Sequence, residues 1–401
     1  MKEKRFEKRR GIVPGTYFML GKASLNRRRI IKNFVDTVTR RGYQMVELPG
    51  LWPAGTFVGE VVPDKYRSRV GQIQTEYDEP FANLELGYEL TAPVCAMMVA
   101  LGIEKGRFAY ADRVRRFERE AKLGDQGRWI EFSQLGIENL AIDPILGNME
   151  TIALWQNFGE SFDLDVSTRV ASVELFKKIL EDNNATKDDR IKLRAIIDKN
   201  EIDCISTYLC REGQKPLREQ LLQMVSIKGP LFPMVDKMES LFPQYQNTVD
   251  QTRTLAQLLD NAGYYEGVTL DQTAQRGLGL YDSFGIQGGI VGVDGAAEVM
   301  GGGDYTVNVG DQRRSGSGFG IGLERFEDEI ERALDNNTPY QQRILLYGDD
   351  PVTLVKAQSQ MLQSDVEGLD GENLVVEIFP GDEQDARKYA KQNGIYQVIR
   401  K

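Results

Sequence analysis

Gly316-Ser317-Gly318-Phe319-Gly320-Ile321-Gly322-Leu323-Glu324-Arg325-Phe326 places glycine at every second position and then turns abruptly into a charged amphipathic segment. Period-two alternation belongs to a strand, and the change of period after Gly322 predicts a strand running into a helix whose first turn carries Arg325. The run does not fit a dinucleotide fingerprint, whose glycines lie in the strand-to-helix turn. It is not a P-loop either, because no Gly-Lys-Ser/Thr follows. Glycines inside a strand leave room for close approach of another backbone or of a ligand. The wider segment from 276 to 320 holds 14 of the chain's 40 glycines, and hairpin turns account for only part of them.

Outward from this run, Phe108-Ala109-Tyr110, Val114 to Glu118 and Trp129 to Glu138 read as two antiparallel strands joined by a long basic loop. Ser24 is expected to cap a helix through Arg41, followed by a strand from Tyr43 to Leu48 ending at Pro49. Residues 51–87 read as loops and short strands. Helical periodicity begins near Ser172 and runs to about Asp260, with Val173, Phe176, Ile179 and Leu180 on one face and Thr186 capping the next helix. After the linker Asp335-Asn336-Asn337-Thr338-Pro339, strands at 344–347, 374–378 and 395–399 alternate with helices at 351–362 and 383–391. That is a small α/β unit.

Composition narrows the chemistry. The chain has 401 residues, 50 basic against 60 acidic, a net charge of −10, three cysteines and no histidine. The charge argues against a bulk electrostatic nucleic-acid binder. The longest apolar candidate, Leu90 to Leu101, is too short for a membrane span. Cys95, Cys204 and Cys210 form no disulfide framework and no closed zinc site, so no metal ligands are expected and a reducing, cytoplasmic setting is. Without histidine, Ser–His, Cys–His and His–metal arrangements are all excluded. Chemistry falls to carboxylates, Arg, Lys, Tyr, backbone amides or bound Mg²⁺. The missing histidine fits either codon bias or a protein that must be made when histidine is scarce. The alternating charges of Val114 to Glu120 and Gly127 to Phe132 fit either a solvated sheet face or a concavity that binds phosphate and a base edge, a task suited to arginine's planar fork.

Three segments together resemble motifs 1, 2 and 3 of the class II aminoacyl-tRNA synthetases: Ser24 to Pro49, Arg116-Phe117-Glu118 to Glu138, and Gly318 to Phe326. The wording Glu131-Phe132-Ser133-Gln134-Leu135-Gly136-Ile137-Glu138 is similar to the histidyl-tRNA synthetase family. Arg276-Gly277-Leu278-Gly279-Leu280-Tyr281 resembles that family's histidine motif, and Gly302-Gly303-Asp304-Tyr305 its Gly-Gly-Arg-Tyr turn. The resemblance implies an α+β fold: a class II synthetase-type antiparallel sheet core over 1–170 and 261–335, a helical insertion over 171–260, and a truncated, anticodon-binding-like α/β domain over 342–401. It implies a homodimer through motif 1, with Ile30, Phe34 and Val38 supplying the self-complementary surface.

The resemblance also implies a site. ATP, with Mg²⁺, would be bound by Arg116 at the α-phosphate, Glu118 at the adenine amino group, Phe132 against the ring and Arg325 on the far side. Gln134, Glu138, Arg276 and Tyr281 would bind the amino acid, with Arg276 also at the reacting centre. The family's Leu-Arg-Pro-Glu-x-Thr segment, set against Leu90-Thr91-Ala92-Pro93-Val94-Cys95, leaves no acid for the substrate ammonium, and Gly279 and Leu280 depart from the histidine motif. Residues 342–401 carry 7 basic and 10 acidic residues, a poor surface for tRNA. The expectation is a non-catalytic, histidine-sensing paralogue: the regulatory subunit of ATP phosphoribosyltransferase, partnered by a short-form catalytic subunit in histidine biosynthesis. The alternative is an active histidine–tRNA ligase that charges tRNA.

Overall fold

The computed structural model describes residues 13, 15–57, 64–78, 82–117, 129–199, 201–275, 281–291, 298–333, 342–363, 374–392, 395 and 397–401. The chain divides into two units, Met1–Ala333 and Leu334–Lys401. Among the described residues, no helix is long and apolar enough to cross a membrane.

The strands of the larger unit, in chain order, are β1 (Gln44–Met45), β2 (Leu51–Pro53), β3 (Gln72–Gln74), β4 (Asn83–Leu86), β5 (Gly106–Arg115), β6 (Glu131–Leu140), β7 (Val166–Ser172), β8 (Lys228–Pro230), β9 (Val268–Asp271), β10 (Tyr281–Ile290), β11 (Met300–Val309) and β12 (Gln312–Gly322). Nine of them form one sheet in the order β1-β5-β6-β12-β11-β10-β7-β9-β8, and β2-β4-β3 form a small second sheet. The five central pairings from β5 to β7 are all antiparallel. This is the expected class II synthetase-type α+β architecture. The glycine-alternating run is β12, in the middle of the sheet, flanked by β6 and β11.

The helices are α1 (Gly21–Arg40), α2 (Thr91–Leu101), α3 (Pro144–Glu160), α4 (Val173–Asp182), α5 (Lys187–Asp198), α6 (Asp203–Tyr208), α7 (Lys215–Val225), α8 (Leu231–Leu241), α9 (Gln246–Asn261) and α10 (Leu323–Ala333). Local sequence sets their ends. Asp143 caps α3 by accepting from the amides of Ile145 and Leu146, both at 3.0 Å, with Pro144 in the first turn. Thr186 and Asp189 close a reciprocal capping box on α5. Helices α1, α3 and α10 share an aromatic cluster: the Phe34 ring meets Phe158 edge-on, and Phe158 stacks on Phe326 at 5.0 Å. Edge-to-face and offset pairs of this kind add to the burial of their area.

Three expectations are corrected. Helix α1 starts at Gly21, not after a Ser24 cap, and Leu20 at its N-cap makes no side-chain cap bond; Gly21, at φ +56°, turns the extended chain straight into the helix. The strand after α1 keeps only Gln44 and Met45, because the Leu48 amide is drawn off to the Asp112 carboxylate at 3.3 Å. Ile30, Phe34 and Val38 are buried within the chain itself and are not surface for a second copy.

The smaller unit holds β13 (Gln342–Gly348), α11 (Pro351–Gln363), β14 (Leu374–Pro380), α12 (Glu383–Gln392) and β15 (Gln397–Arg400). Its sheet is parallel, in the order β14-β13-β15. Leu346 and Leu354 lie in one apolar cluster, and Leu345 and Ala386 in another. A central strand buried on two faces explains the unbroken run Ile344-Leu345-Leu346-Tyr347.

Candidate functional site

The register of the central strands places small residues where a ligand needs room. Gly322 stands opposite Gln134, Gly318 opposite Glu138, and Gly301 opposite Gly320. A cleft of about 320 Å³ opens over this patch. Arg116 and Phe132 line one side, Glu298 and Gly301 another, and Glu324 and Arg325, in the first turn of α10, a third. The structure thus brings Arg116, Phe132, Gln134 and Arg325 together from positions spread over 210 residues. Arg69 and Trp129 also line the cleft and had no distinctive spacing to reveal them. Glu118 and Arg276 lie outside the described residues.

Arg116 is held on three sides. Its guanidinium carbon sits 4.9 Å from the Tyr88 ring centroid and 5.3 Å from that of Phe132, and its Nε donates to the Tyr88 carbonyl at 2.8 Å. With Nε engaged, the two terminal nitrogens are the atoms presented for a bidentate oxyanion contact. Glu324, next to Arg325, accepts from the Ser133 amide at 3.0 and 3.1 Å and from the Tyr17 hydroxyl, and pairs with Arg27 at 3.2 Å. Arg27 also forks onto Glu327 at 2.8 and 2.6 Å. The helix turn that carries Arg325 is therefore tied to both α1 and the sheet.

Behind Gln134 lies Glu138, only 2% exposed. It accepts from Thr91 at 2.8 Å, from Tyr110 at 3.1 Å and from the Tyr305 hydroxyl. Burial pushes its carboxyl up to about 8, against the pull of those three donors and with a further push from Glu89. Burial likewise raises Glu89, although the Ala92 and Thr91 amides and Arg116 oppose the shift. Tyr281 packs on the cluster containing Tyr110 and Tyr305, and its hydroxyl is raised by burial and by the carboxylates of Glu298 and Glu138. Tyr281 thus lies outside the lining of the cleft and beside the two tyrosines whose hydroxyls reach Glu138.

The structure places beside Glu138 an acid that the reading of Leu90 to Cys95 did not count. Glu89 stands at the N-terminus of α2, bonded to the Thr91 and Ala92 amides at 2.7 and 3.0 Å, and Thr91 reaches Glu138 directly. Leu86-Gly87-Tyr88-Glu89-Leu90-Thr91 has the Leu-x-x-Glu-x-Thr spacing. Anchoring on Leu90 in place of Leu86 slipped the frame by four residues and hid both the acid and the hydroxyl.

The residues suit a nucleotide. Three arginines and two aromatic residues line one cleft, a β-carbon at Gly320 would sit 2.0 Å from the Gln134 amide, and the buried Gln134 Oε1 has no hydrogen-bond partner. A polar atom left so costs about 1–3 kcal/mol unless a ligand satisfies it. Among the described residues, no group of three or more Cys, Asp or Glu could hold a metal by itself. A Mg²⁺ ion here would take phosphate oxygens plus one carboxylate, with Glu298 in position to supply it.

Comparison with known proteins agrees with this geometry. The histidyl-tRNA synthetase family profile matches residues 15–326. The histidine–tRNA ligase of Methanocaldococcus jannaschii is 22% identical over 382 residues, covering 94% of this chain and 88% of that protein. The ATP phosphoribosyltransferase regulatory subunit of Acetivibrio thermocellus is 23% identical over 389 residues, 92% of this chain and 88% of that one. A crystal structure from Bacillus halodurans, described as an ATP phosphoribosyltransferase regulatory subunit/histidyl-tRNA synthetase, superimposes with a TM-score of 0.77 at 16% identity, covering 98% of this chain and 99% of the other.

Proposed function

The chain belongs to the histidyl-tRNA synthetase family, and from that premise we propose that it binds ATP and histidine side by side and joins them as histidyl-adenylate, the first half of a histidine–tRNA ligase reaction. The observation that carries this is the continuity of the site: Arg116, Gln134 and Arg325 line one cleft, and the strand that bears Gln134 carries Glu138 four residues on, bonded to Thr91 and through it to Glu89.

In this mechanism a carboxylate oxygen of histidine attacks the α-phosphorus of ATP, and the bond to the pyrophosphate oxygen breaks. Phe132 lies against adenine, Arg325 holds the far side of the nucleotide, and Arg116 grips the α-phosphate, where charge grows in the transition state. Mg²⁺, when bound, neutralises the phosphates. Glu89 pairs the substrate ammonium and Gln134 its carboxylate. Glu138, mostly protonated at neutral pH, faces the imidazole and takes or gives a proton as the ring requires.

A second reading keeps the binding but not the charging: a histidine-sensing subunit for a phosphoribosyltransferase. The 7 basic and 10 acidic residues of 342–401 favour it, since that balance repels a tRNA stem, as does the likeness to the Acetivibrio subunit. Under either reading a homodimer is proposed, now through Phe18, Leu20 and Leu25, which are 77%, 84% and 48% exposed beside a groove along α1. Sedimentation of a stable monomer at micromolar concentration would count against it.

Histidine-dependent pyrophosphate exchange, followed by charging of total tRNA, tests the function. Turnover in both supports the ligase. Histidine and ATP binding without exchange supports the sensor, and absence of binding refutes both.

A further inference from the structure

Tyr281 begins β10 at an irregularity. Its partner across the ladder is Tyr305, yet the next regular pair is Gly285 with Gly303, so the register shifts in between. Such a bulge leaves amides and carbonyls out of the ladder and re-aims the side chain beside it. Four backbone groups here have been taken up by charged side chains. The Asp304 carboxylate, 3% exposed, accepts from the Ser283 amide at 2.9 Å, the Phe284 amide at 2.7 Å and the Asn148 carboxamide at 3.0 Å. The Lys177 ammonium, from α4, donates to the Tyr281 carbonyl at 2.8 Å and the Asp282 carbonyl at 3.1 Å, with the Asp282 carboxylate 3.9 Å away. Asp282 also accepts from Thr306 at 2.7 Å. Under the ring, a β-carbon at Gly303 would lie 2.8 Å from Tyr281 Cδ1, so only glycine lets the ring lie flat there.

We propose that Asp304 and Lys177 are positioning residues for amino-acid binding: an anion on the amides and a cation on the carbonyls clamp the bulge, and the clamped bulge holds Tyr281 against Tyr110 and Tyr305, the two tyrosines that close on Glu138. This deepens the histidine-binding reading and rests on it. Asp304 stands where the resembled Gly-Gly-Arg-Tyr sequence has its arginine. A long arginine could not accept from amides. Helix α4 thus reaches the β10 backbone through Lys177.

The test uses the full chain and calorimetry with histidine and with ATP separately. Lys177→Met, at a side chain 34% exposed, and Asp304→Asn, which keeps shape but only one acceptor oxygen, are expected to weaken histidine binding on the order of tenfold to a hundredfold. ATP binding should change less than about twofold, because Arg116 and Arg325 lie on other strands and helices. Deuterium exchange in Asp304→Asn should rise at Ser283 and Phe284 more than at the other amides of β10 and β11. Equal losses for both ligands would mean general destabilisation and overturn the proposal. Unchanged histidine affinity in both variants would overturn it while leaving the function reading intact. A parent chain that binds ATP but no histidine would overturn both.

Discussion

Replacing Glu138 by Gln freezes the site in its protonated form, and the pH dependence of that exchange is calculable. In the folded chain the Glu138 carboxyl sits at about 8, against an ordinary 4.5, because it is buried. Below about 4.5 it is neutral folded or unfolded and contributes no pH dependence. Between 4.5 and 8 the unfolded chain releases the proton and the folded chain keeps it, so stability falls by about 1.36 kcal/mol for each pH step. Above 8 both states are ionised, and the accumulated loss, on the order of 4–5 kcal/mol, stays constant. Glutamine has no such proton and can still offer a donor and an acceptor to Tyr110, Tyr305 and Thr91. Glu138→Gln should therefore match the parent near pH 4.5 and exceed its stability increasingly up to pH 8, with a plateau beyond. Urea denaturation read by tryptophan fluorescence suits the measurement, because Trp52, Trp129 and Trp155 all lie in the larger unit. Subtracting variant from parent removes every other titrating group that does not touch Glu138. A difference that stays flat from pH 5 to 9, within about 1 kcal/mol, would refute the claim that burial dominates the three donors.

Other expectations follow from single contacts. Arg116→Ala and Arg325→Ala should each cost ATP binding about 1.5–3 kcal/mol, the worth of a charge-assisted contact, by calorimetry. Gly318→Ala places a β-carbon 2.0 Å from the Ile137 carbonyl and 2.9 Å from Glu138; it should lower stability by at least about 1–3 kcal/mol and disturb the Glu138 pocket. Gly310→Ala meets nothing within 4 Å and pays only for its φ of +60°, about 1 kcal/mol in the same denaturation assay. Thr186→Ala removes the α5 capping box at a cost of about 1 kcal/mol, seen as faster amide exchange in that helix's first turn.

The central sheet was legible because its periodicities are strong. Alternation through 316–322 and 131–140 marks strands whatever they pair with, and the alternation of strand and helix after Pro339 could only be an α/β unit. Arg116, Phe132 and Arg325 were legible by chemistry as well as by likeness, since arginine and an aromatic ring on facing strands suit a nucleotide. Short-range context misled elsewhere. Ser24 has the right chemistry for a cap, but Gly21 lets the helix begin a turn sooner. Phe34 and Val38 are apolar whether a helix faces a partner copy or its own core, and a sequence does not distinguish the two. Glu89 was missed because a lone leucine is a weak anchor for a motif whose Arg and Pro are replaced by Gly87 and Tyr88. Tyr110 carries no local signal at all: only the fold brings it 3.1 Å from Glu138.

Glu324 joins Tyr17 across 307 positions and Ser133 across 191. Contacts of such span are closed late, after the entropy of the long loops has been overcome. During synthesis the strands that floor the cleft emerge in turn, but the turn bearing Arg325 leaves the ribosome last within this unit. A nascent chain that has not reached it has Arg116 and Glu138 but lacks the wall that Glu324 and Arg325 give the cleft. The cleft, in consequence, is a mark of completeness: it comes into being when the larger unit is whole.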